Sequence, residues 1–89
     1  MKWSLKFSKN ADKQLSKMDN GVRRIIISWL MKNINECDNP RVHGKGLTSN
    51  HSGEWCYRIG NYRVLCDIHE NDLVVLAFSI EHRSEVYKD

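Results

Sequence analysis

The sequence predicts an α+β domain in the order β-α-α-β-β-β, with an antiparallel sheet and a two-helix hairpin packed on one of its faces. Three observations lead there. Near the start, Trp3, Leu5 and Phe7 alternate with Lys2, Ser4, Lys6 and Ser8, the period of a strand with one buried side. From Ala11 to Ile34 the apolar positions instead recur every three or four residues, in two segments parted by Asp19-Asn20-Gly21. From residue 54 onward strand-like alternation returns, interrupted by Gly60-Asn61, a pair suited to a two-residue hairpin loop.

Each element has its local reason. Ser8 or Asn10 is placed to cap a short helix whose apolar positions are Ala11, Leu15 and Met18. The second helix carries Val22, Ile25, Ile26, Trp29, Leu30 and Ile34 on one stripe, with Arg23, Arg24, Lys32 and Asn35 on the other side. Cys37-Asp38-Asn39-Pro40 is expected to end it, because proline disfavours helical geometry in the residue before it. A turn so short makes the two helices an antiparallel hairpin. Residues 41–53, rich in Gly, Ser, Thr and Asn, read as a loop containing Arg41, His43, Lys45 and His51. Three strands follow, near 54–59, 62–68 and 73–80.

Composition bounds the rest. Eighty-nine residues with 40% apolar and 28% charged side chains suit one globular domain, taken as 1–89, and no repeat or linker divides it. The longest apolar run, Leu73 to Phe78, is far shorter than the roughly 20 residues of a membrane-spanning helix. The opening MKWSLKFSK lacks the apolar core of a secretion signal. Three cysteines without a Cys-x-x-Cys pair suit neither a disulfide scaffold nor a zinc site. A cytoplasmic protein without metal or cofactor is the expectation. Residues 1–49 hold ten Lys/Arg against four acids, whereas residues 50–89 hold four against seven. A basic half favours an anionic partner such as nucleic acid, although a solvated lysine face would look the same.

The hairpin fixes a register. With Gly60-Asn61 as its loop, Trp55, Tyr57, Ile59, Tyr62, Val64, Cys66 and Ile68 share one almost wholly apolar face. Glu54, Cys56, Arg58, Arg63, Leu65 and Asp67 share the other, and a one-residue slip would mix the two sets. Cys56 and Cys66 therefore point to opposite faces, which argues against a disulfide between them. Arg58 and Arg63 stand directly opposite each other on the face the helices leave uncovered. Like charges so placed are destabilising. Either Glu54, Asp67 or an acid of the tail neutralises them, or an anion such as phosphate binds there. If the next turn preserves parity, Leu73, Val75 and Ala77 join the core face, and Leu76, Phe78, Ile80 and His82 line the arginine face.

These residues carry a resemblance. Trp55-Cys-Tyr-Arg-Ile-Gly-Asn-Tyr-Arg-Val-Leu-Cys66, then Leu73-Val-Val-Leu and His82-Arg-Ser-Glu-Val-Tyr87, resemble the RelE family of the RelE/ParE toxin superfamily, and the element order extends the likeness along the whole chain. The resemblance implies a RelE-like, microbial-ribonuclease-like fold. It implies the toxin of a type II toxin–antitoxin pair, an endoribonuclease (mRNA interferase) that cuts mRNA in the ribosomal A site and inhibits translation. The chemistry implied is attack of the ribose 2′-OH on the adjacent phosphate, leaving a cyclic phosphate and a free 5′-hydroxyl. The partners implied are a cognate antitoxin, RelB-like or Phd/YefM-like, the ribosome with its mRNA, and operator DNA only through the antitoxin. By the same resemblance Arg63 stabilises the reacting phosphate and Arg58 stands where the family has a basic residue. Tyr87 stacks on a base, Arg83 contacts phosphate or the leaving group, and Lys45 lies where relatives touch RNA. Two features depart from the family pattern. Gly60 and Asn61 turn where some members carry a further lysine proposed as the base, and Glu81-His82-Arg83 replaces a common Gly-His-Arg.

The reaction needs a proton acceptor, positive charge against the nonbridging oxygens and a donor to the leaving oxygen. Arginine serves the second need, because its fork fits phosphate and its charge is permanent, which also makes it a poor base. His82 titrates near neutrality when unperturbed and is the expected acid or base. Glu81 and Glu85 are the alternatives, as bases or as partners of Arg58 or Arg83. Trp3, Trp29 and Trp55 read as core. His43, His51 and His69 show no ligand spacing. Two other functions fit the same fold: a ParE-like toxin that poisons gyrase by binding protein, and an inactive homologue acting with its antitoxin as a DNA-binding corepressor.

Overall fold

The computed structural model describes residues 2–46 and 54–82. Strand β1 (Ser4–Phe7) leads into helices α1 (Lys9–Ser16) and α2 (Asn20–Asn33). A 3-10 turn (Pro40–Val42) and strand β2 (Lys45–Gly46) follow, then β3 (Glu54–Ile59), β4 (Tyr62–His69) and β5 (Val74–His82). The strands form one five-stranded sheet in the order β1-β5-β4-β3-β2. The α+β class and the two-helix hairpin are as the sequence predicts. Two features of the sheet differ. It is mixed, because β1 lies parallel to β5, Leu5 beside Val75 and Phe7 beside Ala77. It also has an additional edge strand within the expected loop, where Lys45 and Gly46 pair with Cys56 and Trp55.

The helices cover the face bearing Tyr57, Val64, Cys66, Val75 and Ala77, all fully buried, against Ala11, Leu15, Ile26, Leu30 and Ile34. Burial of the Val, Leu and Ile side chains among them contributes about 1.5–3 kcal/mol each, so this layer dominates stability. The α2 stripe is narrower than its sequence suggests: Ile25 is exposed, whereas Ile26, Leu30 and Ile34 are buried. Helix α2 also stops at Asn33, nearly two turns before the proline. Glu36 takes the left-handed conformation (φ 64°), and residues 35–37 then run beside β1. Trp3 N–H donates to Cys37 O (3.0 Å), Glu36 N–H to Trp3 O (2.8 Å) and Leu5 N–H to Asn35 Oδ1 (3.1 Å), which closes the outer edge of the sheet.

Helix α1 does the same for β5 beyond the reach of β1. Ser8 caps α1 by accepting from Ala11 N–H (3.1 Å), and its hydroxyl and the Asn10 amide both donate to Phe78 O (3.2 and 3.0 Å). The Gln14 amide bonds both backbone groups of Ile80, donating to its carbonyl (2.9 Å) and accepting from its N–H (2.8 Å). Three polar side chains of one helix thus satisfy the strand where its neighbour ends.

Candidate active site

The β3–β4 hairpin has the expected register, from Glu54 opposite Asp67 to Ile59 opposite Tyr62, around Gly60 in its left-handed conformation (φ 60°). Arg58 and Arg63 are therefore direct cross-strand neighbours on the face away from the helices. Arg58 is exposed and Arg63 half-buried. No ion pair of Arg58 occurs among the described residues.

The β4–β5 ladder overturns one expectation. It shifts by one residue between Leu65 and Cys66, leaving Phe78 unpaired as a β-bulge. Val75 and Ala77 lie on the core face as expected, but past the bulge every side chain changes sides. Ile80 is buried opposite Val64, not on the arginine face. His82 stands opposite Tyr62, its ring edge-on at 4.8 Å and 87°, and so is also off that face. Glu81 instead comes onto the arginine face, directly across from Arg63. The resulting row reads Arg58, Arg63, Glu81 over three adjacent strands. A carboxylate opposite an arginine favours the pairing that two arginines alone would disfavour.

Lys45 reaches the same face from the sheet edge, because its partner Cys56 has the parity of Arg58. Its position is set by the segment that crosses over the β3 edge. The Tyr57 hydroxyl donates to Pro40 O (2.7 Å) and the Trp55 indole N–H to His43 O (2.6 Å). Arg41 lies 5.9 Å over the Trp55 ring and pairs with Glu70 at 2.5 Å. Gly44 (φ 76°) then lets the chain press against β3, since a Cβ there would fall 2.3 Å from Cys56 O. Burial pushes the Tyr57 hydroxyl and the Cys66 thiol well above their usual ranges, so both stay protonated beneath the site. Cys37, Cys56 and Cys66 are free thiols, and no metal-holding cluster of His, Cys, Asp or Glu occurs among the described residues.

The structure thus gathers Arg58, Arg63 and Lys45 on one face and removes His82 from it. Arg83 and Tyr87 lie outside the described residues. Glu81 is the site residue that sequence parity misplaced. A single bulge inside a uniformly apolar strand leaves no alternation to reveal it. Chemically, the row offers two guanidinium groups able to grip a phosphate in a fork and a carboxylate able to take a proton.

A family model described as the ParE toxin of a type II toxin–antitoxin system, parDE, matches residues 5–87. No curated protein matches the sequence. Among solved structures, the toxin–antitoxin complex RelBE2 from Mycobacterium tuberculosis is similar, with a TM-score of 0.82 and 21% identity over 94% of both chains. The isolated E. coli RelE toxin gives a TM-score of 0.72 and 23% identity over 96% of this chain and 90% of its own. The RelB–RelE antitoxin–toxin complex from Methanococcus jannaschii gives 0.64 and 19% over 93% and 95%. At these identities the likeness establishes a RelE-like fold.

Proposed function

The chain belongs to the RelE/ParE superfamily of type II toxin–antitoxin toxins, and we propose that its activity is cleavage of mRNA in the ribosomal A site. The observation that carries this reading is the Arg58–Arg63–Glu81 row, with exposed Lys45 one residue pair away. Two guanidinium groups set against each other on a surface cost stability and are useful where an anion comes between them. In the proposed reaction the ribose 2′-oxygen attacks the neighbouring phosphorus as Glu81 takes its proton. Arg63 and Arg58 stabilise the charge gathering on the nonbridging oxygens. The bond to the 5′-oxygen breaks, that oxygen takes a proton from solvent water, and a cyclic phosphate and a free 5′-hydroxyl remain. Resemblance to the RelE family assigns Tyr87 to stacking on the codon and Arg83 to the leaving group or a phosphate. The ribosome supplies what the row lacks by holding the nucleotide in line for attack.

The partner follows from the same kinship. The M. tuberculosis and M. jannaschii structures are toxin–antitoxin complexes, and a cognate antitoxin, RelB-like or Phd/YefM-like, is proposed for this chain. Contact with operator DNA would run through that antitoxin.

Primer extension on ribosome-bound mRNA tests the reading. Wild type gives A-site cuts, Arg63→Ala reduces them by about a hundredfold or more, and Tyr87→Phe keeps the stacking face. A second reading, gyrase poisoning, is favoured by the matching family description, which is that of the ParE toxin. Intact mRNA in a translating extract, together with stalled replication, would replace the nuclease reading with that one.

A further inference from the structure

Arg58 belongs to two places. It stands in the row with Arg63 and Glu81, and it also lines a cleft at the β2–β3 edge with Trp29, His43, Gly44, Lys45 and Cys56. Trp29 reaches this cleft from α2, His43 to Lys45 from the crossing segment, and Cys56 and Arg58 from β3. One side is an aromatic corner: the Trp29 and His43 rings meet at 75° with centroids 5.4 Å apart, both partly exposed. Beside it the wall is bare backbone, because Gly44 has no side chain and room for none. The rim is cationic: Lys45 and Arg58 are exposed, and neither makes an ion pair among the described residues.

We infer that this cleft is a nucleotide subsite: the base enters the Trp29–His43 corner and its phosphate lies between Lys45 and Arg58. The inference rests on the proposed mRNA cleavage and deepens it, since Arg58 joins the cleft to the reacting row. The occupant is then the nucleoside beside the scissile linkage. Flat aromatic faces hold bases of any sequence, and cations along the rim follow the backbone. An isolated phosphate or an acidic peptide would use the two cations but leave the ring corner empty. His43 also makes the idea testable without unfolding the protein. It is the backbone carbonyl of His43, not its ring, that receives the Trp55 indole N–H.

NMR on the full chain without ribosomes follows the Trp29 indole and His43 ring signals during addition of adenosine monophosphate, ribose 5-phosphate or inorganic phosphate. The nucleotide is expected to shift both rings and to bind at least about fivefold more tightly than ribose 5-phosphate. His43→Ala should erase that margin and His43→Phe should keep it. On ribosomes His43→Ala should lower the yield of cuts at least about fivefold whichever bases flank them. Equal affinity for the nucleotide and ribose 5-phosphate, a margin that survives His43→Ala, or a wild-type yield of cuts from His43→Ala would each overturn the subsite. If the protein cuts no mRNA but the His43-dependent margin is present, the subsite stands and the nuclease reading falls. If it cuts mRNA without that margin, the reverse holds.

Discussion

Replacing Arg58 by threonine should leave the fold as stable or slightly more stable while removing cleavage. Arg58 and Arg63 are directly opposed across β3 and β4, and Arg58 is exposed with no ion pair among the described residues. Cβ atoms of such partners stand about 5 Å apart, and guanidinium groups at their ends on the order of 7 Å apart repel by about 0.6 kcal/mol in water. That lies within the roughly 0.2–1 kcal/mol scale of cross-strand side-chain pairs, on which like charges directly opposite are destabilising. Threonine suits an exposed strand position, so its own cost is small. Urea denaturation should therefore show Arg58→Thr unchanged or stabilised by up to about 1 kcal/mol at 0.1 M salt. The gain should shrink towards zero at 1 M, where the Debye length falls from about 10 to about 3 Å. Cleavage of ribosome-bound mRNA should drop by about a hundredfold or more, as for loss of one transition-state donor. Destabilisation by more than about 1 kcal/mol, or a stability change indifferent to salt, would make Arg58 a structural residue and refute the reasoning.

Gly44→Ala should cost about 2–4 kcal/mol, combining left-handed strain with overlap on Cys56 O, and Gly60→Ala, with open space around it, only about 1 kcal/mol; equal urea midpoints would contradict this. Gln14→Ala removes both side-chain partners of the Ile80 backbone and should cost about 1–3 kcal/mol, with faster hydrogen exchange at the Ile80 amide as the local signature. Native Cys66 and Tyr57 keep their protons well above the ordinary values of 9.0 and 10.0, whereas the unfolded chain releases them there. Their contribution is therefore fully present below pH 9 and lost as pH rises, by about 2 kcal/mol between pH 8 and 10. Cys66→Ala should abolish most of that slope in denaturation series across this range.

Local chemistry made much of this architecture legible. Gly60-Asn61 between two alternating segments fixes the β3–β4 register through turn geometry and one apolar face, and every pair follows from it. Ser8 has a single plausible duty before a helical stripe, and it caps α1. Contacts between distant segments left no such trace. The parallel β1–β5 pairing joins residues some seventy positions apart. Strand β2 is two residues long, too short for any period. Ile25 and Ile26 look alike in sequence, and only the angle at which α2 lies on the sheet exposes the one and buries the other. Trp29 reads as a core residue on its stripe, and it is one, against Tyr57 at 5.7 Å; its second role depends on His43 arriving from another segment.

The arginine face shows why such long-range contacts decide chemistry as well as shape. In the apolar run from Val74 to Phe78 either parity buries something, so nothing within β5 itself specifies where the register must shift. What holds the shift at Phe78 lies about seventy residues upstream: Ser8 and Asn10 bond the carbonyl of the bulged residue, and Gln14 grips Ile80 on its far side. Without the bulge, Ile80 would stand opposite Arg63, His82 would share that face one pair further along, and Glu81 would turn toward the helices. With it, a carboxylate stands by the arginines and the imidazole rests edge-on against Tyr62. The polar side of α1 therefore selects which proton-accepting group the site contains. A substitution in that helix, far from any phosphate, acts on the chemistry by changing the side to which two residues point.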